Sequence, residues 1–300
     1  MNMRLTALML VMLLMFGAPA LAEDEASSVQ VSYLGPEGTY TEEAAQYFFK
    51  NQETLVARET VNDAIGDVLS GAADYAVIPQ ENTLGGAVVG YVDALIGAAE
   101  ISVVGEVVLP ISQTLMGVPG ATLGDIATVC SHAQGLTQSA QWRSEHLPEA
   151  AAEEMPSTAA AASYVAQQQD KSIAAVAAPG AAALYGLEVL ARDVQISDAN
   201  KTRFYVLSRQ GREAGELSRA LFVATCEANQ IDDVIVVLHE SGLELVALHD
   251  RPEGSQLGRY HYVIEVEDEQ GISREQIDAA CAQECVRFAG CFDSVEKGRE

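Results

Sequence analysis

The sequence is poor in basic and in aromatic residues. Only 17 lysines and arginines stand against 43 aspartates and glutamates, so the formal net charge is -26. A field of this sign repels nucleic acid and anionic membranes, and both are excluded as default partners. Aromatic residues make up 6% of the chain. The core must therefore be built mainly from alanine, valine, leucine and isoleucine.

Long hydrophobic runs are also missing beyond the N-terminus, so no transmembrane helix is expected there. The apolar run 5–16 follows Arg4, is too short to span a bilayer, and is broken by Gly17 and Pro19. Small residues then stand at Ala20 and Ala22, where signal peptidase needs them. We expect residues 1–22 to be a cleaved signal peptide rather than an uncleaved anchor. The localisation that follows is periplasmic, with no membrane attachment after cleavage.

The cysteines lack the spacing of a metal site. The sequence has no CxxC and no paired histidines beside its five cysteines, which argues against zinc. An oxidising compartment permits disulfides, and the odd count leaves at least one thiol unpaired or intermolecular. The pairing within the C-terminal group stays open for Cys226, Cys281, Cys285 and Cys291.

Strand-like runs alternate with helical patterns through the first two thirds of the chain. The apolar runs are 29–34, 74–78, 101–109, 126–130, 173–178 and 202–207. This alternation predicts an α/β fold with a parallel or mixed sheet. A Gly- and charge-rich linker at 210–216 precedes a second unit, whose predicted order βαββαβ is that of a small ferredoxin-like fold.

Polar side chains recur where predicted strands lead into helices. They are Thr39, Glu81, Asn82, Thr83, Ser131 and Ser157. Ligands of such sheets bind beyond the carboxyl ends of strands, where helix N-termini attract anions. Each of these residues alone is more often an ordinary helix cap. Together they predict a site for a small anion.

Four segments carry a resemblance to the prephenate dehydratase family: 34–40 (LGPEGTY), 79–83 (PQENT), 131–138 (SHAQGLTQ) and 200–204 (NKTRF). The match runs in order from about Val31 to Leu207. It implies a bilobed, periplasmic-binding-protein-like dehydratase domain at 29–209. One lobe is expected at 29–105 plus 196–209 and the other at 106–195, with the site in the cleft between them. The tail at 217–296 resembles the regulatory ACT domain of these enzymes.

The resemblance implies that the chain converts prephenate to phenylpyruvate, CO2 and water. No metal or organic cofactor is expected, because formation of the aromatic ring drives the reaction. Thr202 matches the family's essential threonine, and it is expected to orient or relay a proton to the departing hydroxyl. Glu81 is the nearest motif carboxyl that could supply that proton. Ser131 is the third residue expected to act in catalysis.

The resemblance also predicts the residues that bind substrate: Asn82, Thr83, Gln138, Arg203, Thr39 and Ser157. Ser131 and Gln138 are seven residues apart, a spacing that places both on one face of a helix. Arg203 is a cation beside Thr202. It either pairs with a substrate carboxylate or forms an internal salt bridge.

The tail departs from the ACT domains that bind phenylalanine. Their Gly-Ala-Leu turn aligns with 229–231 (NQI), and only Arg251 and Pro252 remain of their Glu-Ser-Arg-Pro motif. Asn229 cannot approach a ligand as closely as glycine. The allosteric positions Asn229, Ile231, Arg251 and Pro252 therefore predict weak or absent feedback by phenylalanine. The unit is expected to serve mainly in a homodimer or larger homo-oligomer.

Two other functions remain open. The substrate could be arogenate instead of prephenate, as in an arogenate or cyclohexadienyl dehydratase. Export and a bilobed cleft also suit a non-catalytic periplasmic protein that binds a small anion. A receptor has no need to polarise a leaving hydroxyl, so the enzyme is favoured by the retained set Thr202, Glu81, Asn82, Ser131 and Gln138.

Overall fold

The structure, a computed structural model, describes residues 28–197 and 199–298. The predicted signal peptide at 1–22 lies outside the described residues. In the part that is described, no helix has the length and apolarity to cross a membrane.

The first lobe is one mixed sheet covered by three helices. Its strands are β1 (Val29–Leu34), β2 (Glu53–Arg58), β3 (Tyr75–Asn82), β4 (Gly86–Ala87), β5 (Ser102–Pro110), β11 (Lys201–Ser208) and β16 (Ser294–Glu296), and its helices are α1 (Tyr40–Phe49), α2 (Val61–Ser70) and α3 (Val89–Gly97). The order across the sheet is β16-β5-β11-β3-β1-β2, with β4 paired to β3. β11 runs antiparallel to both β3 and β5. This position brings β11, which carries most of the NKTRF segment, beside the end of β3, which carries most of the PQENT segment.

The second lobe is a smaller sheet in the order β10-β6-β9-β7-β8. Its strands are β6 (Thr114–Gly117), β7 (Thr128–Ser131), β8 (Ala151–Glu154), β9 (Ile173–Ala177) and β10 (Glu188–Ala191), and its helices are α4 (Ala133–Gln138), α5 (Ala140–His146), α6 (Thr158–Gln168) and α7 (Gly180–Tyr185). Ala161 and Ala162 of α6 pack against Ala175 and Ala177 of β9. Small side chains let this helix approach the sheet closely, which explains how a chain poor in aromatics fills its core.

The chain crosses between the lobes twice, after β5 and before β11. The predicted boundary between 105 and 106 falls inside β5, which pairs with β11 from Ser102 to Pro110. Residues 106–110 therefore belong to the first sheet, and the crossover lies at 111–113. Gly105 interrupts the apolar run without ending the strand.

The C-terminal unit has the predicted order βαββαβ. It comprises β12 (Arg219–Glu227), α8 (Ile231–Glu240), β13 (Glu244–Pro252), β14 (Arg259–Glu267), α9 (Arg274–Cys281) and β15 (Val286–Phe292). Its sheet order is β13-β14-β12-β15. β16, which the sequence did not predict, lies within the range 217–296 but joins the first lobe's sheet beside β5.

One face of the C-terminal sheet is packed on the first lobe. Leu221, Val263 and Phe292 share an apolar core with Ile78 and Tyr205 of the first lobe. The opposite face of this sheet packs on α8 and α9 and includes Cys226 and Cys291. The C-terminal unit thus shares an apolar core with the first lobe, although a Gly- and charge-rich linker separates the two in sequence.

The five cysteines are unbridged thiols in this structure. Burial raises the pKa of Cys130 to about 11. Burial and the neighbouring Cys285 raise the pKa of Cys226. Disulfide pairing within the C-terminal unit stays a prediction.

Candidate active site

A cavity of about 710 Å³ lies between the two lobes. It is lined by the start of α1, by the crossover after β5, and by the loops before α7 and after β10. Of the predicted site residues, Thr39 lines this cavity. Pro110 also lines it, and its neighbour Leu109 pairs with Thr202. Thr202 therefore lies beside the strand end that forms the cavity rim.

The first motif segment forms the tight loop that begins α1. Gly38 has φ +81°, and a Cβ there would lie 2.9 Å from Leu184 of the opposite lobe. Glycine is needed at this position both for the left-handed backbone and for the close approach. Thr39 caps α1 by accepting a hydrogen bond from the Glu42 amide at 3.4 Å. The N-terminus of α1, the positive end of the helix dipole, thus lies at the cavity, where the Gly38 amide already donates to the Glu42 carboxylate.

Tyr40 fixes α1 to the crossover between the lobes. Its hydroxyl accepts a hydrogen bond from the Ser112 amide at 3.0 Å and donates to the Ser112 carbonyl oxygen. Burial raises the pKa of Tyr40 well above its usual value. The tyrosine therefore stays neutral and serves as a fixed link at the base of the cleft.

Arg192 is a cavity residue that the sequence did not single out. It forms no ion pair among the residues that the structure describes. Lys297, the other cation at the cavity, is paired with Glu43 at 3.1 Å. Arg192 is therefore the cation available to an anion in the cleft, and its only sequence signal was its place shortly before the NKTRF segment.

Thr202 and Asn82 meet, although 120 residues separate them in sequence. They are directly opposite each other on β11 and β3. The Asn82 amide Nδ2 donates to Thr202 Oγ1 at 2.8 Å and to Asn200 Oδ1 at 2.9 Å. Because Thr202 Oγ1 accepts from Asn82, its own proton is directed elsewhere and can be donated to a ligand oxygen.

Gln134 connects this pair to the second lobe. Its Nε2 donates to Asn82 Oδ1 at 3.1 Å, and the same oxygen accepts from the amides of Leu84 and Gly85 at 3.0 Å. Asn82 therefore organises the site with both ends of its amide occupied. Gln134 lies in the SHAQGLTQ segment, and that segment is the only signal for it in the sequence.

Ser131 has a structural partner, which gives its predicted catalytic role no support. Its side chain is fully buried, and Oγ donates to the Val176 carbonyl oxygen at 2.6 Å. It does not cap α4 either, because the cap is His132, whose Nδ1 accepts from the Gln134 amide. A Cβ at Gly135 would lie 2.3 Å from Ser131 Oγ. Glycine in the motif thus makes room for a structural hydroxyl.

Gln138 hydrogen-bonds to the crossover between the lobes and does not share a helical face with Ser131 as predicted. α4 covers Ala133–Gln138, so Ser131 lies outside the helix and the two residues share no helical face. Gln138 is buried, and its Oε1 accepts from Gln113 Nε2 at 3.0 Å in the crossover. Gln138 thus links α4 of the second lobe to the crossover at 111–113.

Glu81 and Arg203 face away from Thr202, so the structure gives no support to a proton donor at Glu81 or to a substrate contact at Arg203. Successive strand residues point to opposite faces of a sheet. Glu81 is directly opposite Arg203 in the ladder, and the two form an ion pair at 3.3 Å. Arg203 also binds two buried carboxylates, which realises the internal salt bridge that the sequence left open. Neither residue is free to bind substrate.

Thr83 and Ser157 have structural partners. The Thr83 hydroxyl donates to the Lys201 carbonyl oxygen at 3.1 Å and accepts from the Lys201 amide at 3.2 Å. Ser157 accepts from the Ala160 amide at 2.9 Å as the cap of α6. Both hydroxyls therefore have protein partners, and the structure gives no support to substrate contacts by Thr83 or Ser157.

The four predicted allosteric residues lie in two places. Asn229 and Ile231 are at the turn that begins α8, whereas Pro252 ends β13. Arg251 pairs with Asp93 of α3 at 2.6 Å. The arginine thus joins the C-terminal unit to the first lobe.

The described residues contain no group of three or more histidine, cysteine or acidic side chains placed to hold a metal ion. Two α/β lobes around a polar cavity, with the Asn82–Thr202 pair on a strand next to the one that reaches it, are typical of a bilobed protein that binds a small molecule. The family model for prephenate dehydratase matches residues 31–212. The chain belongs to the prephenate dehydratase family.

Relatives with known functions agree with this assignment. A prephenate dehydratase of Amycolatopsis methanolica is 35% identical over 88% of this chain and 88% of its own length. Arogenate dehydratase 5 of Arabidopsis thaliana is 38% identical over 63% of this chain, which spans 44% of that protein. The crystal structure of a prephenate dehydratase from Arthrobacter aurescens, in complex with L-Phe, matches with a TM-score of 0.80 and 30% identity. That match covers 88% of this chain and 90% of the other.

Proposed function

We propose that this chain converts prephenate to phenylpyruvate, CO2 and water. The observation that supports the proposal most directly is the Asn82–Thr202 hydrogen bond beside the inter-lobe cavity, in a member of the prephenate dehydratase family. In this reaction the ring carboxylate leaves as CO2, and the electron pair of the broken C–C bond enters the ring. The C4–O bond breaks, and the departing hydroxide takes a proton to become water.

Thr202 acts on the departing hydroxyl. Its Oγ1 accepts from Asn82, so its proton points toward the leaving oxygen and stabilises the charge that develops there. A threonine is a poor acid, so Thr202 orients the leaving group by its hydrogen bond, and the proton that completes the water molecule comes from solvent. Because Glu81 faces the other side of the sheet, it takes no part in this step.

The substrate carboxylates bind in the cavity. The amide groups of the first turn of α1 donate hydrogen bonds to one carboxylate, and the Arg192 guanidinium pairs with the other. Closure of the lobes through the Gln134–Asn82 hydrogen bond would exclude water from the ring.

Arg192→Gln is expected to raise KM for prephenate by about tenfold and to change kcat little. The substitution removes a charge-assisted hydrogen bond to a substrate carboxylate, and that bond stabilises the ground state and the transition state equally. Initial rates against substrate concentration measure both constants. Lys171→Gln is the matched control, since this lysine is exposed and lies outside the cavity. An unchanged KM in Arg192→Gln would remove the arginine from the site.

The enzymatic assignment is tested by mixing the purified protein with prephenate. The absorbance of phenylpyruvate should rise in proportion to enzyme concentration. A non-catalytic receptor for small anions would bind prephenate in a calorimeter without forming product, and that outcome would reject the proposal.

A second candidate substrate is arogenate, whose side chain carries an ammonium group. The carboxylates of Glu42 and Asp193 line the cavity and would suit such a cation. The Arabidopsis relative bears the name of an arogenate dehydratase. The ratio of kcat/KM for prephenate and arogenate, measured on one enzyme preparation, decides between them.

We propose that the C-terminal unit is an ACT-like domain that binds phenylalanine weakly or not at all, and that it supports a homo-oligomer. Asn229 stands where a close approach to a ligand needs glycine, and Arg251 is already paired with Asp93. Calorimetric titration with phenylalanine is expected to give no binding tighter than about 1 mM, equivalent to roughly -4 kcal/mol. Micromolar binding would contradict this prediction.

We propose also that the protein is exported and cleaved after Ala22. The support is the pattern of residues 1–22, which lie outside the described part of the chain. Mass spectrometry of the protein from the periplasmic fraction should find Glu23 at its N-terminus. A cytosolic chain that still carries the segment would reject export.

A further inference from the structure

A cluster of ion pairs joins the C-terminal unit to the strand that carries Thr202. We call it the buried ion cluster; it consists of Glu106 on β5, Arg203 on β11, Arg219 on β12 and Glu265 on β14. The side chains of Glu106 and Glu265 are each 1% exposed. The cluster therefore lies inside the interface between the first lobe and the C-terminal unit.

Glu265 is the member that bridges the two units. Its Oε1 accepts from Arg203 Nη2 at 2.5 Å and from Arg219 Nη1 at 2.6 Å. Its Oε2 accepts from the Tyr205 hydroxyl at 2.8 Å. One carboxylate of the C-terminal sheet thus holds two alternate residues of β11, both on the face opposite Thr202.

The charges of the buried ion cluster balance, with two arginines against two glutamates. Glu106 Oε2 accepts from Arg203 Nε at 2.9 Å, and Glu106 Oε1 accepts from the Ser294 hydroxyl at 2.6 Å. All four carboxylate oxygens of the cluster therefore have donors. Removing any one charge leaves another buried without its partner, which costs several kcal/mol.

The backbone ladder beside Thr202 is irregular. The pairing of β11 with β3 shifts register between Arg203 and Phe204, so one residue of β3 bulges out at this point. A bulge interrupts the ladder hydrogen bonds and changes the local twist of a strand. β11 itself keeps a regular register with β5 from Lys201 to Val206. The side-chain contacts of Arg203 and Tyr205 add to that pairing in fixing the orientation of β11.

We propose that Glu265 is a positioning residue for the dehydratase site. By holding Arg203 and Tyr205 it fixes the twist of β11 and, through the alternation of the strand, the direction of the Thr202 hydroxyl. This inference rests on the proposed function. It assigns the C-terminal unit a direct part in catalysis that needs no ligand bound to that unit.

The test compares Glu265→Gln with Glu267→Gln in the full-length protein. Glu267 lies on the same strand, is 41% exposed and touches Arg219 at 3.4 Å without reaching β11. Both variants are assayed with prephenate well below their measured unfolding temperatures. Glu265→Gln is expected to lower kcat at least about tenfold with KM nearly unchanged, because misplacing a group that acts in the transition state lowers kcat rather than binding. Glu267→Gln is expected to keep both constants.

Each result bears on a separate claim. If the wild-type protein does not consume prephenate, the proposed function fails. If wild type turns over and folded Glu265→Gln keeps its kcat, Glu265 is only a structural link and the positioning role is rejected. A rise in KM equal to the fall in kcat/KM would also reject it.

Tyr205→Phe decides the matter if Glu265→Gln does not fold. It removes one hydrogen bond to Glu265 Oε2 and keeps the ring in the core. The variant is expected to lower kcat about threefold at constant KM, the size of a weak hydrogen bond. An unchanged kcat in that variant would overturn the proposal.

Discussion

Thr202→Ala is expected to lower kcat for prephenate by a factor of about 10² to 10³ while KM changes less than about threefold. Removal of one preorganised donor to a developing negative charge has this effect in other enzymes. Binding is spared because Thr202 meets the leaving oxygen most strongly in the transition state. Stopped-time assays of phenylpyruvate and calorimetric titration with prephenate measure the two quantities.

Thr202→Ser and Thr202→Val are the matched controls for this experiment. Serine keeps a hydroxyl that can accept from Asn82, so it should retain much of the rate. Valine keeps the shape but neither accepts nor donates, so it should behave as alanine does. A near-normal rate in the valine variant would show that the hydroxyl has no role in the reaction.

The sequence predicted the pairing of distant motifs better than the role of each motif residue. Asn82 and Thr202 come from separate segments, and the structure brings their side chains into contact at 2.8 Å. The C-terminal unit has the predicted element order, with α8 (Ile231–Glu240) as its first helix. These features follow from local periodicity and motif order, which a sequence displays directly.

Side-chain direction at the end of a strand could not be predicted in the same way. Glu81 and Asn82 are adjacent, but one faces Arg203 and the other faces Thr202. Which face of the sheet each of the two residues occupies depends on the bulge in β3, because a bulge shifts the alternation of faces along a strand. No sequence pattern predicts that bulge. The direction of the Ser131 hydroxyl could not be predicted for a related reason. It points into the second lobe and donates to the Val176 carbonyl oxygen.

Elements whose stability comes from tertiary pairing were also missed. β2 is an edge strand with little buried surface, so its residues show no clear apolar alternation. β16 is a strand of three exposed residues that forms because β5 offers a free edge. Its place in the first lobe's sheet depends on where the C-terminal unit packs, which is a property of the whole fold.

Arg203→Gln is expected to lower the free energy of unfolding by about 3–5 kcal/mol, since it leaves Glu106 and Glu265 buried with one partner fewer. Burial alone would lower the pKa of Arg203, but the carboxylates of Glu265 and Glu106 outweigh burial and raise the pKa above its usual value. The guanidinium therefore stays charged wherever the protein is folded. Glutamine at position 203 carries no charge at any pH, so it cannot replace the guanidinium as a partner of the two carboxylates.

The adjacent Lys201→Gln provides the control for Arg203→Gln on the same strand. Lys201 pairs with Glu296 at 2.5 Å, but their side chains are 44% and 54% exposed. Water screens such a pair, and its loss should cost less than about 1 kcal/mol. Thermal unfolding followed by circular dichroism measures both variants against wild type. Equal unfolding midpoints for Arg203→Gln and wild type would mean that the buried ion cluster does not help to hold the C-terminal unit on the first lobe. A large fall in the midpoint of Arg203→Gln, with little change in Lys201→Gln, would show that an ion pair stabilises the fold here because it is buried.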